Sequence, residues 1–113
     1  SLSDTTLVGE LRDGKVREYE IAPEHFGFAR AAREDFAVAN ATESRARVLT
    51  ALGNEPGPVR DIVTLNAGAA LYAADVVASI ADGVERAREA IASGTARAKL
   101  DQFLAATRRL AGA

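Results

Sequence analysis

The sequence predicts an α/β chain, a β-hairpin followed by three to four helices, and three observations carry that expectation. Asp13-Gly14 separates two runs of strand character, Thr6 to Arg12 and Lys15 to Ile21. Residues that open and close helices bracket the segments between Asn40 and Leu110. Within those segments apolar residues recur at helical rather than alternating spacing.

The hairpin follows from its turn. A two-residue Asp-Gly loop suits a type I′ turn, in which both central residues need positive φ. Counting outward pairs Leu11 with Val16, Glu10 with Arg17 and Val8 with Tyr19. The second pair is complementary in charge, and the third joins an aromatic to a β-branched side chain. Gly9 interrupts the apolar alternation and predicts a bulge or a close backbone approach. A lone hairpin is marginal in water, so this one needs a sheet or helices to pack on. Pro23 closes the second strand, and Phe26 and Phe28 follow in a turn that should tuck them against apolar surface. From Ala29 to Ala39 apolar and charged residues mix without a clean period, which predicts a loop with a short helix.

The helices are punctuated clearly. Asn40 caps the first, with Glu43 placed for a capping box, Val48, Leu49 and Leu52 as its apolar stripe and Gly53 as a left-handed stop. Pro58 opens the second, where its missing N–H costs nothing. From Ile62 to Ala74 that helix is apolar or small nearly all round, which predicts burial on most sides. Thr64 and Asn66 then need hydrogen-bond partners, and Gly68 should permit a close helix–helix contact. Ser79 caps a third helix with Asp82 at its third position, and Ile80, Val84, Ala87 and Ile91 recur along it up to a stop at Gly94. A fourth runs from Thr95 to Leu110 with Leu100, Phe103, Leu104, Thr107 and Leu110 on one stripe.

With 113 residues there is room for one domain and not two. The net charge of −2 argues against a nucleic-acid partner and against a polybasic membrane anchor. The absence of cysteine excludes disulfides and thiolate chemistry. No apolar run approaches the roughly 20 residues of a membrane span, and the first residues lack the pattern of a signal peptide. We expect a cytoplasmic protein with no membrane partner.

Read for chemistry, the residues assign no catalytic, substrate-binding or metal site. His25, the only histidine, follows Glu24, but no third group is in view to orient a dyad. Glu18 and Glu20 share a strand face and could hold a hard cation; a solvated face neutralised by Arg12, Lys15 and Arg17 is the simpler reading. Glu34-Asp35, near Arg30 and Arg33, reads as a charged surface patch. The segment Gly53 to Pro58 is a poor phosphate cradle, because two prolines remove donors and Glu55 repels an anion. Asn66 reads as a buried amide bonded to a neighbouring loop. Arg108 and Arg109 suit the negative end of the last helix dipole.

Several segments, in order, resemble the C-terminal region of anthranilate phosphoribosyltransferases. They are Thr6 to Leu11 before Asp13-Gly14, Tyr19 to Gly27, Arg60 to Leu71 (RDIVTLNAGAAL), Gly83-Val84 with Ala87, and Ala90 to Gly94. Nucleoside phosphorylases share that fold, and the hairpin residues point away from them. The resemblance implies that residues 1–113 form the C-terminal, incomplete portion of a phosphoribosyltransferase α/β domain. It also implies a homodimeric parent enzyme that transfers the phosphoribosyl group of phosphoribosyl pyrophosphate to anthranilate, with magnesium, in tryptophan biosynthesis. The family's glycine-rich pyrophosphate loop, its KHGN-type segment and its metal-binding Asp-Glu pair have no counterpart here. Where the family often has Glu-Asn-Ala at the start of the helix after the hairpin region, this chain has Glu43-Ser44-Arg45. No functional residue is therefore carried over, no magnesium is expected to be held by this chain, and the chain alone is expected to be inactive and free to self-associate. The competing expectation is a free-standing, non-catalytic interaction module of the same fold.

Overall fold

The structure, a computed structural model, describes residues 1–112. Strands β1 (Thr6–Arg12) and β2 (Lys15–Ile21) pair antiparallel, and four helices follow: α1 (Ala41–Leu52), α2 (Pro58–Ala73), α3 (Ile80–Ala92) and α4 (Thr95–Ala111). The α/β class and the hairpin-then-helices order are as the sequence predicts. Asp13 and Gly14 have φ of 53° and 74°, as a type I′ turn demands. The register pairs Leu11 with Val16, Glu10 with Arg17 and Val8 with Tyr19. Gly9, however, forms no bulge. It lies squarely opposite Glu18, and a Cβ placed on it would meet nothing within 4 Å.

Between hairpin and helices the chain turns twice through short 3-10 segments, Pro23–Phe26 and Arg33–Phe36. The first is closed by left-handed Gly27 (φ 77°) and delivers Phe28 into the core at 5% exposure. The second is the short helix foreseen between Ala29 and Ala39, with the Asp35 carboxylate accepting the Ala32 N–H at 2.9 Å. The N-terminal residues pack back on this region. Leu2 is 1% exposed, its carbonyl accepts the Ala31 N–H at 3.0 Å, and Arg30 reaches both Asp4 (3.2 Å) and Glu24 (2.6 Å).

Helix α1 starts as predicted: the Asn40 side chain accepts the Glu43 N–H at 2.9 Å. The Glu43 carboxylate reaches one residue further back than a capping box would, to the Ala39 N–H at 2.8 Å. Its C-terminus differs from expectation. Gly53 has φ −79°, and the left-handed residue is Asn54 at φ 62°. The Asn54 N–H bonds the Ala51 carbonyl at 3.1 Å and the Glu55 N–H bonds the Thr50 carbonyl at 3.2 Å, the paired bonds of a Schellman end shifted by one residue. Asparagine tolerates this conformation, so glycine is not needed there. The buried face of α1 also shifts: Ala51 is fully buried, Leu49 and Leu52 are half-buried, and Val48 points outward.

Helices α2 and α3 form the centre. Gly68 on α2 lies against Gly83 and Val84 on α3 so closely that a Cβ on Gly68 would sit 2.6 Å from the Val84 nitrogen. A Cβ on Gly83 would collide with the Gly68 carbonyl oxygen and approach the Gly68 Cα to 3.0 Å. The two backbones touch because neither carries a side chain at the crossing. Above and below it, Thr64 and Leu65 on α2 and Val84, Ala87 and Ile91 on α3 are buried. Leu65 and Val84 join Leu2 and Phe28 in one cluster, with Phe26, Ala31, Phe36, Ile62 and Ile80 packed around it. The hydroxyl of Thr64, buried in this interface, donates to the Arg60 carbonyl one turn back at 2.8 Å.

Burial of α2 on most sides is only partly realised. Most of its positions are half-buried, while Asn66, Ala70 and Ala73 are exposed. Asn66 is thus a surface amide and not the buried, loop-bonded residue expected. Helix α3 keeps its Ser79 cap, with the Asp82 N–H donating at 3.0 Å, and stops at left-handed Gly94 (φ 82°). On α4 the expected stripe faces away from the core: Phe103 is 62% and Leu110 72% exposed. The helix rests on α3 and slightly on α1; Leu100 is half-buried, whereas Phe103 and Leu110 stay exposed.

Replacing Gly83 by Ala should cost about 1–3 kcal/mol or more, because the obstacle is backbone and cannot rotate away. Urea melts of Gly83→Ala and of Gly112→Ala, whose added Cβ would find its nearest neighbour at 3.4 Å, should separate the two clearly.

Candidate functional site

The cluster of polar side chains that links distant parts of the chain is centred on Glu10. Alternation along β1 points Thr6, Val8 and Glu10 towards α2 and leaves Leu7, Gly9 and Leu11 facing outward. A carboxylate on the inward face must find donors. Glu10 finds four. One oxygen accepts from the Tyr72 hydroxyl on α2 and lies 3.4 Å from the Arg12 guanidinium. The other accepts from the Tyr19 hydroxyl at 3.0 Å and from Arg17 at 3.4 Å. The Glu10 side chain is only 13% exposed. Arg12 also lies over the Tyr72 ring at 5.2 Å and Arg17 over the Tyr19 ring at 4.9 Å, so each cation is held by a carboxylate and an aromatic face.

The electrostatics follow from this geometry. The Tyr72 hydroxyl, and next the Tyr19 hydroxyl, hold the Glu10 carboxyl below its ordinary range. The same hydrogen bond raises the Tyr72 phenol, while burial and then Glu10 raise that of Tyr19. Both phenols therefore stay protonated and act as donors. Beside the cluster, β1, α2 and the start of α3 enclose an open cleft of about 780 Å³, reached by Val8, Tyr19, Ile21, Leu65, Asn66 and Ile80. Each Glu10 oxygen is occupied by one phenol and one guanidinium. The arrangement fastens the hairpin to α2 and leaves neither Glu10 oxygen without a donor.

The other residues singled out in the sequence are dispersed. The Nδ1 of His25 accepts the Ala22 N–H at 3.1 Å and shapes the first 3-10 turn, while Glu24 pairs with Arg30 and not with His25. Glu18 and Glu20 lie exposed on the outward face of the hairpin. Of Arg12, Lys15 and Arg17, expected to neutralise them, Arg12 and Arg17 are instead engaged with Glu10 on the inward face, and Lys15 lies beside them. Glu34 and Asp35 are exposed, and Asp35 serves the second 3-10 turn. The Asn54 carbonyl and side chain accept from Arg60, so the Gly53 to Pro58 connector is tied down by its own chain. Arg108 and Arg109 occupy the last turn of α4. Among the described residues no three of His, Cys, Asp or Glu gather closely enough to hold a metal ion, and no helix is long and apolar enough to cross a membrane. The Glu10–Arg17 pair was legible from the hairpin count. The role of Tyr72 was not, although an inward carboxylate on a strand is a signal that a distant donor must exist.

The pattern of the glycosyl transferase family, a/b domain, matches residues 1–97, from the N-terminal segment through α3 and into the first turn of α4. The chain belongs to that family. It is 59% identical over 111 residues to a protein of Dechloromonas aromatica (strain RCB) named anthranilate phosphoribosyltransferase, a match covering 98% of this chain and 33% of the relative. It is 62% identical over 109 residues to a protein of that name from Cupriavidus pinatubonensis, covering 96% and 30%. With the one from Xanthomonas oryzae pv. oryzae (strain PXO99A) it shares 60% over 112 residues, covering 99% and 32%. The chain spans about a third of the length of the curated relatives it matches.

The Glu10 cluster predicts an acid dependence with a definite sign. Because the folded carboxyl lies below its ordinary range, the stability it contributes is present above the unfolded carboxylate range and is lost as pH falls through the folded value. Denaturation midpoints measured from pH 7 to pH 3 should show a smaller acid loss for Glu10→Gln than for the parent chain. Tyr72→Phe should shift the remaining loss to higher pH.

Proposed function

We propose that this chain forms the C-terminal part of the α/β domain of an anthranilate phosphoribosyltransferase. The full enzyme would transfer the phosphoribosyl group of phosphoribosyl pyrophosphate to anthranilate, releasing pyrophosphate, in tryptophan biosynthesis in the cytoplasm. A homodimeric assembly belongs to the same reading. The observation that carries it is identity near 60% over almost the whole chain to proteins of that name. Within such an enzyme the contribution of this chain is architectural. The α2–α3 pair, locked at Gly68 and Gly83, forms a rigid block, and the Glu10 cluster holds the hairpin against it.

Phosphoribosyl transfer needs charge stabilisation of the departing pyrophosphate. The cations beside the cleft, Arg12 and Arg17, are committed to Glu10. Magnesium belongs to the proposed reaction, but the residues of this chain do not fit it: among those described no acidic group of three converges, and Glu10 is filled by four donors. The exposed apolar side chains of Leu11, Val16, Phe103 and Leu110 keep a second reading alive, that of a free-standing interaction module.

A chimera decides between them. The chain is placed in the Dechloromonas aromatica relative in exchange for its matching residues, and consumption of anthranilate is followed by its fluorescence. Turnover with phosphoribosyl pyrophosphate and magnesium is the expected result, and a folded chimera without turnover contradicts the reading. The purified chain alone should show no turnover in the same assay; sustained catalysis by it would contradict the architectural role.

A further inference from the structure

Gly9 has no explanation inside this chain. Its φ is not in the left-handed region, it makes no bulge, and a Cβ on it would meet nothing within 4 Å. A glycine in a regular strand sacrifices side-chain packing and backbone entropy for no local return. What the missing side chain creates is a slot. Gly9 lies on the outward face of β1 between Leu7 (68% exposed) and Leu11 (73%), with Glu18 directly across the strand pair. The two leucines stand roughly 13 Å apart along the strand with an empty position between them. Val16, also 73% exposed, extends the apolar wall opposite Leu11, and Glu20 stands opposite Leu7.

We propose that this face is a docking surface within the full-length enzyme. The slot at Gly9 receives a bulky apolar side chain from a segment in the two thirds of the enzyme outside this chain, and that segment carries a Lys or Arg for Glu18 and Glu20. The inference rests on the functional reading above, in which the chain is part of a longer protein. Three observations select this occupant. The relatives matched are about three times as long as the chain, so ample polypeptide exists to cover the face. The family match runs over residues 1–97 and so includes the hairpin, which places the face inside the span of the a/b domain. The outward carboxylates lack the cations expected for them: Arg12 and Arg17 are turned inward to Glu10, and alternation along β2 puts Lys15 on that same inward side. A second copy of the chain fits worse, since it would bring the same two carboxylates against their own kind.

The sign of a stability change tests this. On a solvent-exposed strand, Gly→Ala→Val should leave the melting temperature unchanged or raise it, because valine is the better strand residue. On a covered face whose slot is already filled, each added methyl must displace the knob. In the Dechloromonas aromatica chimera, Gly9→Ala should therefore lower the Tm and Gly9→Val should lower it further, by roughly 3 °C or more. Hydroxyl-radical footprinting of the same chimera should show Leu7, Leu11 and Val16 protected. A Tm that holds or rises through the series, free oxidation of these residues, or a chimera that cannot fold would each overturn the proposal. Turnover is scored separately: a folded chimera that loses Tm at Gly9 but does not consume anthranilate sustains the docking surface and removes the transferase reading.

Discussion

The rest of the chain depends on the backbone contact between Gly68 and Gly83. Helices separated by ordinary side chains pack with axes about 8–10 Å apart. Here a Cβ on either glycine would strike main-chain atoms of the partner helix, so any residue larger than glycine forces α2 and α3 apart. The close approach brings Leu65 and Val84 into one cluster and seals Ala87 and Ile91 beneath it. It also explains how a chain with only 5% aromatic residues and no methionine builds a core: small residues let the backbones supply the packing that large side chains supply elsewhere. Leu2 and Phe28, brought in by the N-terminal segment and the first 3-10 turn, close that core from one side.

The hairpin is held by different physics. Its link to α2 is polar, a buried-facing carboxylate shared by two phenols and two guanidinium groups. Such a cluster is specific in direction and sensitive to protonation, whereas the glycine crossing is neither. The result is a rigid helical block with a strand pair clasped to it and an open cleft between. Two apolar surfaces remain uncovered among the described residues, the outward face of the hairpin and the stripe on α4. They differ in one respect: the first lies within the span of the family pattern, and the second lies beyond it.

Local chemistry was legible in the sequence and long-range chemistry was not. Asp13-Gly14 set the register of the hairpin to the residue, and Asn40, Pro58, Ser79 and Gly94 marked helix ends where the structure has them. Each of these signals acts within four residues, through a cap, a turn or a missing donor. The Gly68 contact was foreseen because a glycine inside an apolar helix needs a packing reason, but its partner Gly83 was not, since nothing local names the helix it meets. Gly53 and Asn54 were exchanged because either residue can take the left-handed position and the final turn decides which. Val48, Asn66 and Phe103 are exposed where the sequence predicts apolar or buried faces, for one cause: periodicity identifies a face, and only the assembled neighbours determine whether it is covered. The Glu10 cluster was half visible, as a cross-strand pair, and its other half lay 62 residues away in Tyr72.

Native-state hydrogen exchange reads the central claim most directly. If the α2–α3 crossing organises the chain, the amides of Leu65 to Ala69 and of Val84 to Ala87 should exchange only through global unfolding, with one common free energy. Those of β1, β2 and the second half of α4 should open earlier and independently. Hairpin amides that outlast those of α2 and α3, or α2 and α3 amides that open separately from each other, would contradict it.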